Sequence, residues 1–226
     1  MNVLIFGATG MVGQGVLREC LLAADVARVR TVGRNATGLS DPKLEDIVHA
    51  DLNDYRAIEH RLGDIDACFF CLGVSSAGMN EADYSRITYD YTLAAAQTLA
   101  RLNPRMSFVY VSGASTDSSE RGRSMWARVK GRTENALQRL PFKAVYLFRP
   151  GVIQPLHGAV SSTRSYRWFY ALTKPLLSPL RALFPNQILS TEGIGLAMLE
   201  AARHGAPKAV LESRDINALA AARSHG

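Results

Sequence analysis

Close to its start the chain runs Val3-Leu4-Ile5-Phe6, breaks into three glycines at Gly7, Gly10 and Gly13, and then resumes its apolar pattern at a different period. Few sequence features restrict a fold as much. The run is short and apolar throughout, which suits a strand buried on both faces of a parallel sheet. From Gly10 onward Val12, Val16, Leu17, Cys20 and Leu21 recur at helical spacing, so strand, tight turn and helix follow in direct succession. Gly7 permits the turn, Gly10 lets a ligand reach the backbone, and Gly13 lets the helix pack against the strand. A helix N-terminus leaves backbone N–H groups unpaired and carries a partial positive charge, a natural seat for a pyrophosphate. The expected ligand is therefore a dinucleotide, held by Gly7, Thr9, Gly10, Met11, Val12 and Gly13.

Downstream, strands and helices alternate. Residues 26–32 read as a second strand ending in Gly33-Arg34-Asn35. A carboxylate at this strand end would hold the adenosine ribose hydroxyls of NAD. Here stands Arg34, whose guanidinium would attract a 2′-phosphate, so NADP is favoured over NAD, with NAD left open and an exposed surface arginine as the bland alternative. A loop at 35–44 leads to a third strand at 46–49. Asp51 and Leu52 follow it, placed to meet an adenine, although Asp51 could equally serve a turn. Asn53 reads as the cap of a helix over 54–61. The fourth strand, 66–71, ends in Cys71-Leu72-Gly73, where a nicotinamide ribose or its pyrophosphate would pass. The longest helix is expected over 81–102, stopped by Asn103-Pro104. A fifth strand at 106–111 opens into Ser112-Gly113-Ala114-Ser115. A polar loop leads to a helix over 125–140, and a sixth strand at 144–148 closes with Arg149-Pro150-Gly151-Val152, expected on the nicotinamide side.

Six repeats of this alternation predict an α/β fold, a doubly wound parallel sheet of Rossmann type. With 226 residues and no linker, the chain reads as one domain over 1–226. The rhythm breaks at 153–190, a stretch holding His157, Arg164, Tyr166, Trp168, Tyr170 and Lys174. It is expected to form a small C-terminal substrate lobe or lid within the domain rather than a sheet element; an amphipathic segment of this kind could also meet a membrane surface or a partner chain. Residues 188–189 suggest a short strand, capped by Ser190 or Thr191 into a helix reaching 202. A last strand at 208–211 and a helix at 215–222 follow.

Charge and cysteine usage bound the setting. The net charge of +6 comes from scattered basic residues that form no basic stripe interleaved with aromatics in the first hundred residues, so no nucleic-acid partner is expected. Apolar runs are too short to cross a membrane. The N-terminal run has no basic region before it and reads as structure rather than a signal sequence. Cys20, Cys68 and Cys71 read as free buried thiols, and a reducing cytoplasm is the expected compartment. Cys68 and Cys71 lie three apart in an extended run and so face opposite sides of a strand, which argues against a metal or redox pair.

Taken together, Gly7-Ala8-Thr9-Gly10-Met11-Val12-Gly13, Asp51-Leu52, Tyr110-Val111-Ser112, Lys130 and Phe148-Arg149-Pro150-Gly151 stand in order and at spacings that resemble the short-chain dehydrogenase/reductase superfamily. The likeness runs over roughly residues 2–212 and is strongest to its atypical branch of NAD(P)-binding, nucleoside-diphosphate-sugar epimerase-like proteins. In that superfamily a Tyr four residues before a Lys exchanges the substrate proton, the Lys also holds the nicotinamide ribose, and a Ser after the fifth strand orients the substrate oxygen. The resemblance therefore implies Lys130 and Ser112 as site residues. The Tyr position, however, holds Trp126, and an indole cannot make that transfer. Gly113 stands where a second serine is common, leaving Ser112 and Ser115 as candidates. A second Tyr-x-x-x-Lys, Tyr170 to Lys174, falls in the lobe. Two functions stay open: an NADP(H)-dependent oxidoreductase acting on a small molecule without the tyrosine, or a catalytically inactive NADP(H)-sensing or interaction module. A homo-oligomer built through the 81–102 and 125–140 helices is compatible with their small residues, which serve sheet packing equally well.

Overall fold

The structure is a computed structural model that describes residues 1–159 and 188–222. Nine strands are placed among these residues: β1 (Asn2–Phe6), β2 (Arg28–Gly33), β3 (Leu44–Val48), β4 (Ala67–Phe70), β5 (Ser107–Val111), β6 (Ala144–Arg149), β7 (Val152–Gln154), β8 (Ile188–Ser190) and β9 (Val210–Glu212). Seven form one sheet in the order β3-β2-β1-β4-β5-β6-β9, and every neighbouring pair is parallel. Strand order reverses direction between β1 and β4. In an open parallel sheet that point is where a crevice opens beyond the carboxyl ends of the strands, and a dinucleotide lies across it.

The α-helices among the described residues are α1 (Met11–Leu22), α2 (Glu81–Ser85), α3 (Tyr91–Leu102), α4 (Met125–Leu137), α5 (Thr191–His204) and α6 (Ser213–Ala222). Alternation along the strands sorts the core into two layers. Val3 and Ile5 of β1 face α1, α5 and α6, where Val16, Leu17, Cys20, Ile194, Met198 and Ile216 are buried. Leu4 and Phe6 face the other way, onto Ala95, Ala96 and Leu99 of α3 and Leu137 of α4. A row of rings crosses this second layer: Phe6 stacks on Phe70 at 5.0 Å, Phe70 on Phe108 at 5.9 Å, and Phe108 on Phe142 at 5.1 Å. Each such buried ring contributes about 2 kcal/mol of transfer free energy, and the row fixes the register of three adjacent strands. Cys68 belongs to this layer whereas Cys71 packs on the opposite one, as period two requires.

On the first face α1 and α5 touch backbone to side chain. A Cβ on Gly15 would lie 2.6 Å from the Thr191 side chain, and one on Gly195 2.9 Å from Glu19 Cγ. Ser190 caps α5 by accepting the Gly193 N–H at 2.9 Å.

Three sequence expectations change. The helix expected over 54–61 is a short 3-10 stretch, Arg56–Arg61, and Asn53 does not cap it. Asp51 and Asp54 take the local backbone instead: Asp51 accepts the Asn53 N–H at 2.9 Å and Asp54 the Arg56 N–H at 2.9 Å, bonds that compete with a regular helix start. The long helix exists, but between α2 and α3 it passes through a π-helical turn, Arg86–Asp90. Its start is capped by Asn80, which accepts the Asp83 N–H. Finally, Val152 and the first residues of the expected lobe form β7, which pairs in parallel with β8. The lobe thus opens and closes on a two-stranded sheet; Tyr170, Lys174 and the rest of its aromatic, basic stretch lie outside the described residues.

Candidate dinucleotide site

At the end of β1 the backbone turns with Gly7 at φ +75°, the left-handed region. A Cβ there would meet Leu72 N at 2.6 Å, and one on Gly13 would meet Gly7 O at 2.0 Å. Both glycines are therefore imposed by contact between the turn, α1 and the end of β4. The Gly10 N–H donates to Gly7 O at 2.9 Å and closes the turn. No side chain caps α1, and its first turn holds no acid. The first-turn N–H groups of Met11, Val12 and Gly13 thus have neither an intrahelical partner nor a competing anion, which fits a bound pyrophosphate.

To one side lies a cavity of about 80 Å³ lined by Gly7, Ala8, Thr9, Thr31, Val32, Gly33, Arg34, Asn35, Thr37, Leu52 and Leu72. It brings together the glycine turn, the β2 end and Leu52. Arg34 is exposed at its rim, and among the described residues no hydrogen bond or ion pair engages the guanidinium. Asp46 stiffens the loop beyond it, accepting from Thr31 Oγ1 at 2.5 Å and from the Thr37 N–H and hydroxyl at 2.9 and 2.8 Å. Asp51 is exposed and serves the turn described above, while Leu52 is buried. Asn35, Thr37 and Asp46 were not singled out by sequence reasoning; nothing in a loop of small polar residues marks which one a neighbouring strand will hold.

A second cleft of about 480 Å³ adjoins this cavity through Ala8, Thr9 and Thr37 and extends over Gln14 and Arg18 to His157 and Glu192. The Gln14 amide donates to Thr9 O at 2.8 Å, and His157 meets Glu192 at 2.7 Å.

Across the switch point stand the residues expected on the nicotinamide side. Lys130 of α4 is 8% exposed. Its Nζ donates to Val111 O at 3.1 Å, lies 5.2 Å from the Tyr110 ring centroid, and would stand 3.9 Å from a Cβ on Gly73. Burial is the dominant influence on this amine and pulls its pKa down from 10.5 to about 8, with Glu134 opposing the drop. Trp126, one helical turn before it, is half-buried, its ring edge 3.7 Å from where Gly113 would carry a Cβ. The indole thus lies against the backbone just beyond β5, on the same face of α4 as Lys130.

Ser112 is placed differently from the role the resemblance implies. Its hydroxyl sits 2.6 Å from Glu134 Oε1 and 3.1 Å from Phe148 O. Glu134 is 1% exposed and receives Arg149 in a two-pronged pair, Nη2 at 2.5 Å and Nε at 3.1 Å. Arg149 continues to Ser118 Oγ at 2.6 Å. Glu134 escaped sequence reasoning because a lone acid on a helix reads as surface; only its spacing of four from Lys130 pointed inward. Ser115 is exposed with φ +68°. Pro150 O accepts the Ala114 N–H at 2.8 Å, the Gly151 N–H donates to Ser213 Oγ at 2.9 Å, and Val152 enters β7. Cys71 is half-buried, packed on the α1 layer, and desolvation pushes its thiol up to about 12, well above the reactive range.

A parallel sheet with a glycine turn feeding an uncapped helix at its switch point defines a Rossmann-type dinucleotide-binding protein. Comparison with known proteins agrees: the chain belongs to the NAD(P)H-binding family, whose match covers residues 7–143. Among curated relatives it is 29% identical over 157 residues to a Scheffersomyces stipitis protein named FMP52-1, mitochondrial, covering 68% of this chain and 67% of the relative. It is 31% identical over 159 residues to mitochondrial fmp52-1 of Aspergillus terreus, covering 67% and 66%, and 26% identical over 155 residues to HTATIP2 of Rattus norvegicus, covering 67% and 62%. The matched stretch thus spans about two thirds of each relative. Among solved structures, the Bordetella bronchiseptica enzyme WbmF in complex with NAD+ superposes with TM-score 0.68 at 17% identity, covering 97% of this chain and 76% of that one. A short-chain dehydrogenase/reductase family oxidoreductase from Burkholderia thailandensis gives 0.64 at 16%, covering 94% and 90%. These likenesses bear out the superfamily fold. The cytoplasmic expectation is corrected by the same comparison, since the fungal relatives carry the designation mitochondrial; free thiols report a reducing environment and not which reducing compartment.

Proposed function

We propose that the chain binds NADP(H) and acts as an oxidoreductase on a small molecule. The observation that carries this reading is the Lys130 ammonium, buried at the ends of β4 and β5 beside Gly73, across the switch point from the Gly7 to Gly13 turn. A buried amine with N–H groups to spare beyond its bond to Val111 O suits the hydroxyls of a nicotinamide ribose. When bound, the nicotinamide supplies hydride transfer. The protein's part is to seat the pyrophosphate on the first turn of α1, to hold the ribose through Lys130 and to exclude water. Arg34, exposed and without a protein partner among the described residues, supports NADP over NAD through a charge-assisted pair with the 2′-phosphate.

Isothermal titration with NADPH and NADH tests the binding half, with Arg34→Ala expected to lose at least tenfold for NADPH and little for NADH. Oxidation of NADPH against carbonyl and enone substrates tests the chemistry. The names of the fungal relatives support a mitochondrial setting, which fractionation of cells expressing the tagged full-length protein would check.

A second reading is an NADP(H)-responsive interaction module without turnover. It is favoured by Ser112, whose hydroxyl is committed to Glu134, together with Trp126 in place of a proton-transferring side chain. Trp126→Tyr separates the two readings: activity appearing only in that variant favours the module, and activity already present in the wild type favours the oxidoreductase.

A further inference from the structure

Resting on the NADP(H) reading above, we infer that the site takes a flat conjugated carbonyl of the quinone class, stacked on Trp126 and protonated by the Lys130 ammonium. Trp126 and Lys130 are four residues apart on α4 and so lie one above the other on the same helical face. The indole rests just beyond the end of β5, its edge 3.7 Å from where Gly113 would carry a Cβ, and is half-buried. Strand order places the adenosine half of a dinucleotide over β1 and β2, at Arg34, and the other half over β4 and β5, at Gly73 and Lys130. The indole therefore borders the reacting end. A broad π surface at that place favours a planar, electron-poor ring over a saturated ketone.

The proton chemistry points the same way. Hydride addition to an isolated carbonyl leaves a localised alkoxide, which needs an acid touching that oxygen. Neither Trp126 nor Ser112, whose hydroxyl is held by Glu134, provides one. In a quinone, hydride adding to one oxygen pushes a pair through the ring onto the opposite oxygen and leaves a phenolate, with a conjugate acid of pKa about 10, so the proton donor need not adjoin the atom that accepts hydride. The balance closes: the hydride of NADPH adds to one quinone oxygen and forms its O–H bond as NADPH becomes NADP+; the pair displaced through the ring leaves the opposite oxygen as a phenolate; an N–H bond of Lys130 breaks as the second O–H bond of the hydroquinone forms on that oxygen; the neutral amine then regains a proton from water.

The test uses the full chain with NADPH and duroquinone, whose four methyl groups block addition by thiols and amines, and cyclohexanone as the saturated comparison. We expect NADPH-dependent turnover of duroquinone at least tenfold faster than of cyclohexanone. Duroquinone should also quench tryptophan emission, an effect lost in Trp126→Phe. Trp126→Leu should raise the duroquinone KM at least tenfold while the NADPH Kd, read by titration, moves less than threefold, and Phe should recover most of that loss. Equal turnover of cyclohexanone, an unchanged KM in Trp126→Leu, or NADPH binding with neither quenching nor turnover of duroquinone overturns the quinone assignment alone. Absence of NADPH binding overturns the reading beneath it as well.

Discussion

Lys130→Met should make the cofactor-free protein more stable while weakening its hold on NADPH. The amine is 8% exposed, and burial lowers its pKa from 10.5 to about 8. At neutral pH it is charged in both folded and unfolded states, so the folded state bears the full cost of keeping an ammonium where a neutral amine would sit more easily. A gap of that size corresponds to about 3 kcal/mol at 1.36 kcal/mol per pKa unit. Methionine matches the unbranched stem and carries no charge, but it forfeits the hydrogen bond to Val111 O, worth about 1 kcal/mol. The net expectation at pH 7 is about 2 kcal/mol in favour of the variant. The pH dependence is the sharper measurement. Because the folded pKa lies below the unfolded one, the unfolded state binds more protons between pH 8 and 10.5, and the wild type gains stability as pH rises through that window. Urea unfolding of both proteins at pH 7 and at about pH 9.5 should therefore show the variant's advantage shrinking by about 2 kcal/mol. All other titrating groups are common to both chains and cancel in the difference. A constant difference across this range would refute the claim that Lys130 is buried as a strained cation.

NADPH affinity should fall as pH rises through about 8, since the free protein's ammonium is lost there while the bound ribose favours the charged form; titrations at pH 7 and about pH 9 would show this, and Lys130→Met should abolish the slope. Gly13→Ala should prevent cofactor binding, because its Cβ would stand 2.0 Å from Gly7 O, whereas Gly38→Ala, at φ +75° but with open space around it, should cost only about 1 kcal/mol and leave binding intact; calorimetry on both checks the contrast. Arg149→Met should destabilise by about 3–5 kcal/mol by leaving Glu134 buried without its cation, and Arg149→Met with Glu134→Leu should restore much of that loss in the same unfolding assay.

What the sequence makes legible is periodicity and glycine placement. Val3 to Gly13 could be read because strand, turn and helix each leave a local mark, and the structure adds the reason for Gly7 and Gly13 as clashes with Leu72 and with Gly7 itself. The doubly wound parallel sheet followed from alternation, since parallel crossovers of one hand leave few arrangements. Less visible was anything that depends on which of several local options a tertiary neighbour selects. Residues 54–61 carry a helical pattern, yet Asp51 and Asp54 bond their own backbone and leave only a 3-10 stretch. Val152 reads as the tail of a loop, and becomes a strand only because Ile188, far along the chain, pairs with it. Ser112 stands where the resemblance asks for a catalytic hydroxyl, but the direction of that hydroxyl is decided by a glutamate two turns further along α4 than Trp126.

That glutamate explains how a single substitution can alter the chemistry of the site without loosening it. Trp126, Lys130 and Glu134 recur at intervals of four and form one stripe along α4 facing the carboxyl end of the sheet. The stripe is anchored at Glu134, which Arg149 grips from β6 and Ser112 from the end of β5, so the rotational setting of the helix is fixed two turns away from Trp126. Lys130 is set in turn by Val111 O. The residue at position 126 is therefore free to change between a proton-transferring phenol and a stacking indole while the cation beside it stays in place. On the oxidoreductase reading proposed above, hydroxyl chemistry is removed and charge retained, which would narrow the carbonyl substrates to those whose reduced oxygen needs a nearby cation more than a touching acid.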